Sequence, residues 1–148
     1  MFDFVQRIYD FNKDNGLLDK GYSDFLESSF QIEEALEGFD IKEVSQNTTD
    51  YRLTTSSAKE LSRYILDREK FIGTDVDRLD KACDAIVFAV GSMAKLGLTP
   101  SQIHEALNIV MDANLAKSGC PKDAEGKLLK PDNFPNPEPR LQMLLDLR

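Results

Sequence analysis

Apolar positions recur at helical spacing along most of the chain. Phe2, Val5, Ile8, Tyr9 and Phe11 fit one face of a short helix over residues 2–11 that stops near Asn15 and Gly16. Tyr22, Phe25, Leu26, Ile32 and Leu36 keep the same period, with Ser23 placed to cap the start and Gly38 to end the run. Residues 40–55 show neither period strongly and read as a loop with room for one turn of helix. Ser57-Ala-Lys-Glu60 has the form of a capping box and opens a helix through Leu61, Tyr64 and Ile65 to about residue 69. Thr74 can cap the next helix, closed by Gly97, and Thr99-Pro-Ser-Gln102 opens another that carries Ile103, Ala106, Leu107, Val110 and Met111 and ends near Lys117. The pattern predicts an all-α fold, an antiparallel bundle of four to five helices in a single domain.

The helix between Thr74 and Gly97 stands apart. From Ala82 to Val90 every residue except Asp84 is apolar, which predicts burial in the middle of the bundle and makes Asp84 a buried carboxylate. The modest helices of one chain do not cover such a helix on every side, so completion as a homodimer or homotetramer is expected. Beyond the helical core (1–118), residues 119–140 are rich in Lys, Pro and turn formers and read as an irregular arm, followed by a closing helix or docking tail over 141–148.

At 148 residues the chain can bury a real core without staples. Its two cysteines, Cys83 and Cys120, make neither a disulfide framework nor a zinc-ligand spacing. A net charge of -8 argues against binding to nucleic-acid backbone, whereas a polyphosphate could still be met through a metal ion. No apolar run approaches bilayer length, and Phe2-Asp-Phe-Val-Gln-Arg7 offers no basic lead into an apolar segment; a soluble cytoplasmic protein without a membrane partner is expected.

Candidate chemistry lies in two acidic segments and one basic one. On a helix Glu33 and Glu37 are i,i+4 neighbours and Glu34 and Glu37 are i,i+3, so the three carboxylates share adjoining strips. Asp77, Asp80 and Asp84 likewise share one stripe. Two readings stay open. Such acids are solvated or paired, Asp84 with Lys81 or Arg78; or they converge and hold a hard cation, Mg²⁺ or Mn²⁺. Lys117, Lys122, Lys127 and Lys130 form the most basic stretch, either a solvated tail or a flap that meets phosphates. His104, the single histidine, falls away from its helix's apolar strip and reads as a surface residue.

Taken in order, Glu33-Glu-x-x-Glu37, the acidic pair ending at Asp84 on an apolar helix, Asn114-x-x-Lys117, and Gly126-Lys127-x-x-Lys130 ahead of Phe134 and prolines resemble the MazG-like all-α nucleoside triphosphate pyrophosphohydrolases. That superfamily also contains phosphoribosyl-ATP pyrophosphohydrolase and the dimeric dUTPases. The resemblance implies Mg²⁺-dependent cleavage of a nucleoside triphosphate between the α and β phosphates, giving a monophosphate and pyrophosphate. It implies metal ligation by Glu34, Glu37 and Asp84, a further ligand or the water-activating base in Glu33, and substrate contacts from Asn114, Lys117, Lys127 and Lys130. The family's second motif is usually Glu-x-x-Asp; here Lys81 stands three before Asp84, and Asp80, one turn from Asp84, takes the missing acid's place. The span from Glu37 to Asp80 is also longer than in the family. Two alternatives remain beside this reading: specificity for phosphoribosyl-ATP or dUTP on the same fold, and a non-catalytic helical module.

Overall fold

Local capping chemistry sets the starts of three of the six helices. The structure, a computed structural model, describes residues 2–42, 50–52 and 55–148. Its helices are α1 (Phe2–Asp14), α2 (Asp24–Leu36), α3 (Thr55–Leu66), α4 (Asp75–Lys95), α5 (Pro100–Leu115) and α6 (Glu138–Asp146). The Ser23 hydroxyl accepts from the Leu26 N–H at 3.3 Å, and Thr74 with Asp77 and Thr99 with Gln102 close reciprocal capping boxes at the starts of α4 and α5. Gly97, at φ 91°, adopts the left-handed conformation directly after the C-cap of α4, and Gly119, at φ 77°, does so in the turn that follows α5. The fold is helical, and no single described helix is long and apolar enough to cross a membrane.

Two local expectations are corrected. Within the stretch read as a loop, Asp40–Lys42 (β1) and Asp50–Arg52 (β2) pair antiparallel, Asp40 opposite Arg52. Helix α3 starts at Thr55, so Ser57 lies inside its first turn rather than capping it, and the helix ends at Leu66.

The chain divides into two compact units, Gly21–Ile72 and Met1–Lys20 with Gly73–Arg148. In the first, α2 packs on α3 through small residues: Ser29 on α2, and Ala58 and Ser62 on α3, are fully buried. In the second, α5 is the central helix, touched by α1, α4 and α6, with Ile103, Ala106, Ile109, Met111 and Ala113 buried. Arg7 of α1 donates to Asn108 and Asp112 of α5, both at 2.6 Å, and Arg140 of α6 donates to the other Asp112 oxygen at 3.2 Å.

The Arg7 hydrogen bond, then that of Arg140, holds the Asp112 carboxyl below the usual carboxylate range. A carboxyl with a depressed folded value adds stability that is complete above the unfolded value and is lost as pH falls through the folded one. The melting temperature of Asp112→Asn is therefore expected to lie below wild type at neutral pH, and the two curves to converge from about pH 6 to about pH 3. Thermal melts across that range check it.

Helix α4 departs from expectation. It has no buried residue, and Asp84 is exposed rather than enclosed. Periodicity reports how apolar a helix is, not how many neighbours its chain supplies, and among the described elements of its unit α4 packs on α5 alone. Val76, Leu79, Ile86 and Val90 are exposed, as is Cys83 between them. These positions alternate spacings of three and four residues, the a/d seam of a helix that packs lengthwise on another.

Candidate functional site

The Glu-rich segment separates into three environments. Glu33 is 3% exposed, and its Oε2 accepts a 2.6 Å hydrogen bond from Arg63 Nη1 of α3. The same nitrogen donates to Ser62 Oγ at 2.6 Å and reaches the Ser29 carbonyl at 3.4 Å, while the guanidinium lies 5.3 Å from the centre of the Phe30 ring. Glu34, one residue on, is exposed. Helix α2 ends at Leu36, and Glu37 follows as its C-cap with extended backbone, φ -59° and ψ 136°. The i,i+4 strip expected for Glu33 and Glu37 is thus broken by the helix end.

Glu33 does not have the setting of a base. A residue that takes a proton from water must reach that water, and this carboxylate is enclosed against a guanidinium. Its geometry is that of a clamp joining α2 to α3. The Ser29 hydroxyl beside it is buried and makes no hydrogen bond among the described residues.

Asp80 and Asp84 are exposed and one turn apart on α4. Near them in sequence, Asp77 is committed to the helix cap: the Thr74 backbone N–H, and after it the Thr74 hydroxyl, hold its carboxyl below the usual range. Among the described residues, no group of three or more His, Cys, Asp or Glu side chains is placed to hold a metal ion. The Asp80–Asp84 pair by itself offers a hard divalent cation two oxygen donors, with its other positions left to water or phosphate. His104 is exposed on α5, as a surface histidine would be.

The basic arm is better organised than its composition suggests. Past the end of α5 the Lys117 N–H donates to the Asn114 carbonyl at 2.9 Å, and Gly119 N–H donates to the Asn15 side-chain oxygen at 3.0 Å, tying the arm's start to the loop after α1. Lys122 pairs with Leu128 across a tight hairpin, closed by Asp123 N–H to the Lys127 carbonyl at 2.8 Å. The Asp123 side chain accepts from the backbone N–H groups of Glu125 and Lys127. The chain then turns at Pro131, whose carbonyl accepts from Phe134 N–H at 3.1 Å. Lys117 Nζ and Lys130 Nζ lie over the Phe134 ring, 5.3 and 5.0 Å from its centre. Each such contact contributes about 0.5–1 kcal/mol at an exposed site.

The structure therefore brings together Lys117 and Lys130, with Asn114 at the same helix end, and keeps Asp80 and Asp84 adjacent on α4 of the same unit. Glu33, Glu34 and Glu37 belong to the other unit. Sequence reasoning missed Arg63, Asn15 and the position of Phe134 between the lysines. Only Arg63 left a signal: Ser29 and Glu33, like Ala58 and Ser62, are i,i+4 pairs of the kind that line a close helix contact, and Arg63 follows the second pair. A cleft of about 170 Å³ in the Gly21–Ile72 unit, lined by Phe25, Leu66, Lys70 and Phe71 among others, was not foreseen either.

These features define a helical protein with acidic segments and a folded basic arm. Compared with protein-family models, curated proteins and solved structures, the chain matches none.

Proposed function

We propose that the protein is a nucleoside triphosphate pyrophosphohydrolase of the cytoplasm, hydrolysing its substrate between the α and β phosphates. The observation that carries this reading is the occurrence, within one unit, of two exposed carboxylates a helical turn apart, Asp80 and Asp84, and of two ammonium groups gathered at one ring, Lys117 and Lys130. Asp80 and Asp84 of α4 would hold Mg²⁺ or Mn²⁺. When bound, the ion offsets the triphosphate's charge and makes a water molecule more acidic. The lysines of the arm, Lys117, Lys127 and Lys130, bind the departing pyrophosphate, and Asn114 contacts the nucleoside. Glu33 ties α2 to α3 through Arg63. The exposed a/d seam of α4 packs against a second copy of the chain, which makes the active species a homo-oligomer.

Purified protein incubated with Mg²⁺ and a panel of ribo- and deoxyribonucleoside triphosphates, phosphoribosyl-ATP included, is expected to release pyrophosphate and the matching monophosphate from at least one of them. Release of orthophosphate alone, or of nothing, overturns the assignment. A second reading, a non-catalytic helical module, is favoured by the absence of a three-acid group among the described residues; it predicts no turnover and no response to divalent ions.

A further inference from the structure

The exposed apolar residues of α4 are ordered in a way that an isolated helix does not require. At about 100° per residue, Val76, Leu79, Cys83, Ile86, Val87 and Val90 fall within one strip about 100° wide. All six are exposed, the five aliphatic ones by 40% or more. The strip is also self-complementary. Leu79 and Val90, like Cys83 and Ile86, lie symmetrically about a point between Asp84 and Ala85, within a residue of the middle of the helix. A second copy running the other way therefore sets Leu79 on Val90 and Cys83 on Ile86, each twice. An isologous interface demands that property of one surface, and an unrelated partner gives no reason for it.

Charge decides the direction. The acids of α4, Asp75, Asp77, Asp80 and Asp84, all lie in its first half, and residues 85–94 carry no charge. A parallel pair holds both acidic halves side by side, with Asp75 of one copy across the edge of the strip from Asp80 of the other. An antiparallel pair sets each acidic half against an uncharged one, brings Lys95 near Asp75, and opposes the two helix dipoles.

We propose that two copies of the chain pair through α4 in antiparallel fashion, about a two-fold axis between Asp84 and Ala85. This direction and register rest on the reading that the strip meets a second copy, and not on the hydrolysis. Asp80 and Asp84 border the strip on one side only, so antiparallel pairing sets the acid pairs of both copies on the same face of the dimer, whereas parallel pairing sets them on opposite faces.

The test uses the full chain with Cys83→Ser and Cys120→Ser. Leu79→Cys and Val90→Cys are added to it separately, and each protein is oxidised alone and after co-expression with the other. A disulfide-linked dimer is expected to take up most chains in the mixture and few in either protein alone, because each position lies beside the other's and about 16 Å along the axis from its own counterpart. Self-linking of either protein as readily as the mixture marks parallel pairing and overturns the proposal, as does a mixture that stays unlinked. Should a cysteine in the strip disturb assembly, a spin label on Lys95→Cys in the same background decides. The two labels are expected about 30 Å apart; a separation under about 15 Å, or no coupling between labels, overturns the pairing. Mass separates this proposal from the reading beneath it: an oligomeric wild type without the mixed link loses the direction and register alone, and a monomeric one loses the seam as well. A protein that links as expected yet cleaves no nucleotide keeps its pairing and loses only the assigned activity.

Discussion

Arg63→Ala is expected to cost about 3 kcal/mol of folding stability, near the lower end of the range for removing one partner of a buried ion pair. It leaves the Glu33 carboxylate, 3% exposed, without its guanidinium. The Arg63 side chain retains 16% exposure, which places the loss at the low end rather than near 5 kcal/mol. For a chain of this length the loss corresponds to a fall in melting temperature of roughly 6 to 12 °C. Glu33→Gln keeps the side chain's size and one acceptor, so a smaller loss of about 1–2 kcal/mol is expected. Replacing both residues, as Glu33→Leu with Arg63→Met, is expected to recover most of the stability, because no charge is left enclosed. These outcomes separate a clamp from a base. Were Glu33 the group that activates water, Glu33→Gln would abolish turnover while leaving the melting curve in place.

The second large effect concerns α4. Ile86→Glu places a charge in the exposed seam of Val76, Leu79, Cys83 and Val90, where the isoleucine is 65% exposed in the single chain. In an isolated chain such a change lies in solvent and shifts stability by less than about 0.5 kcal/mol. In an interface between copies it removes a central apolar side chain and buries a carboxylate, a loss of about 2 kcal/mol or more and so roughly 30-fold in association. Light scattering during size exclusion is expected to show a wild-type oligomer and an Ile86→Glu monomer. Ile72→Glu, at a residue 96% exposed in the other unit, is expected to leave the mass unchanged and serves as the control. A monomeric wild type, or an Ile86→Glu protein of wild-type mass, would show that the seam is not where copies meet.

What could be read from the chain in advance was what neighbouring residues decide among themselves. Ser23, Thr74 and Thr99 cap their helices because a hydroxyl two or three residues from an unpaired N–H needs no help from the rest of the molecule. Gly97 ends α4 for an equally local reason. The ranking of helices by burial was not legible: α4 is richer in continuous apolar sequence than α5, yet α5 is the one with three helical neighbours. The site was legible in its parts and not in its partners. The pairing of Glu33 with Arg63 joins residues on different helices, and the end of α2 at Leu36 turns Glu37 away from a strip that spacing alone assigned to it. Likewise the lysines stood out by composition, but their gathering at Phe134 depends on a turn at Pro131 that brings the ring back to the end of α5.

The proposed function requires Asp80 and Asp84, one turn apart on α4, to share one divalent cation. Thermal melts of wild type, Asp80→Asn and Asp84→Asn with increasing Mn²⁺ test it without relying on turnover. The expected result is a rise in wild-type melting temperature that either single substitution largely removes. A wild type indifferent to Mn²⁺, or two variants that each respond as the wild type does, would contradict it.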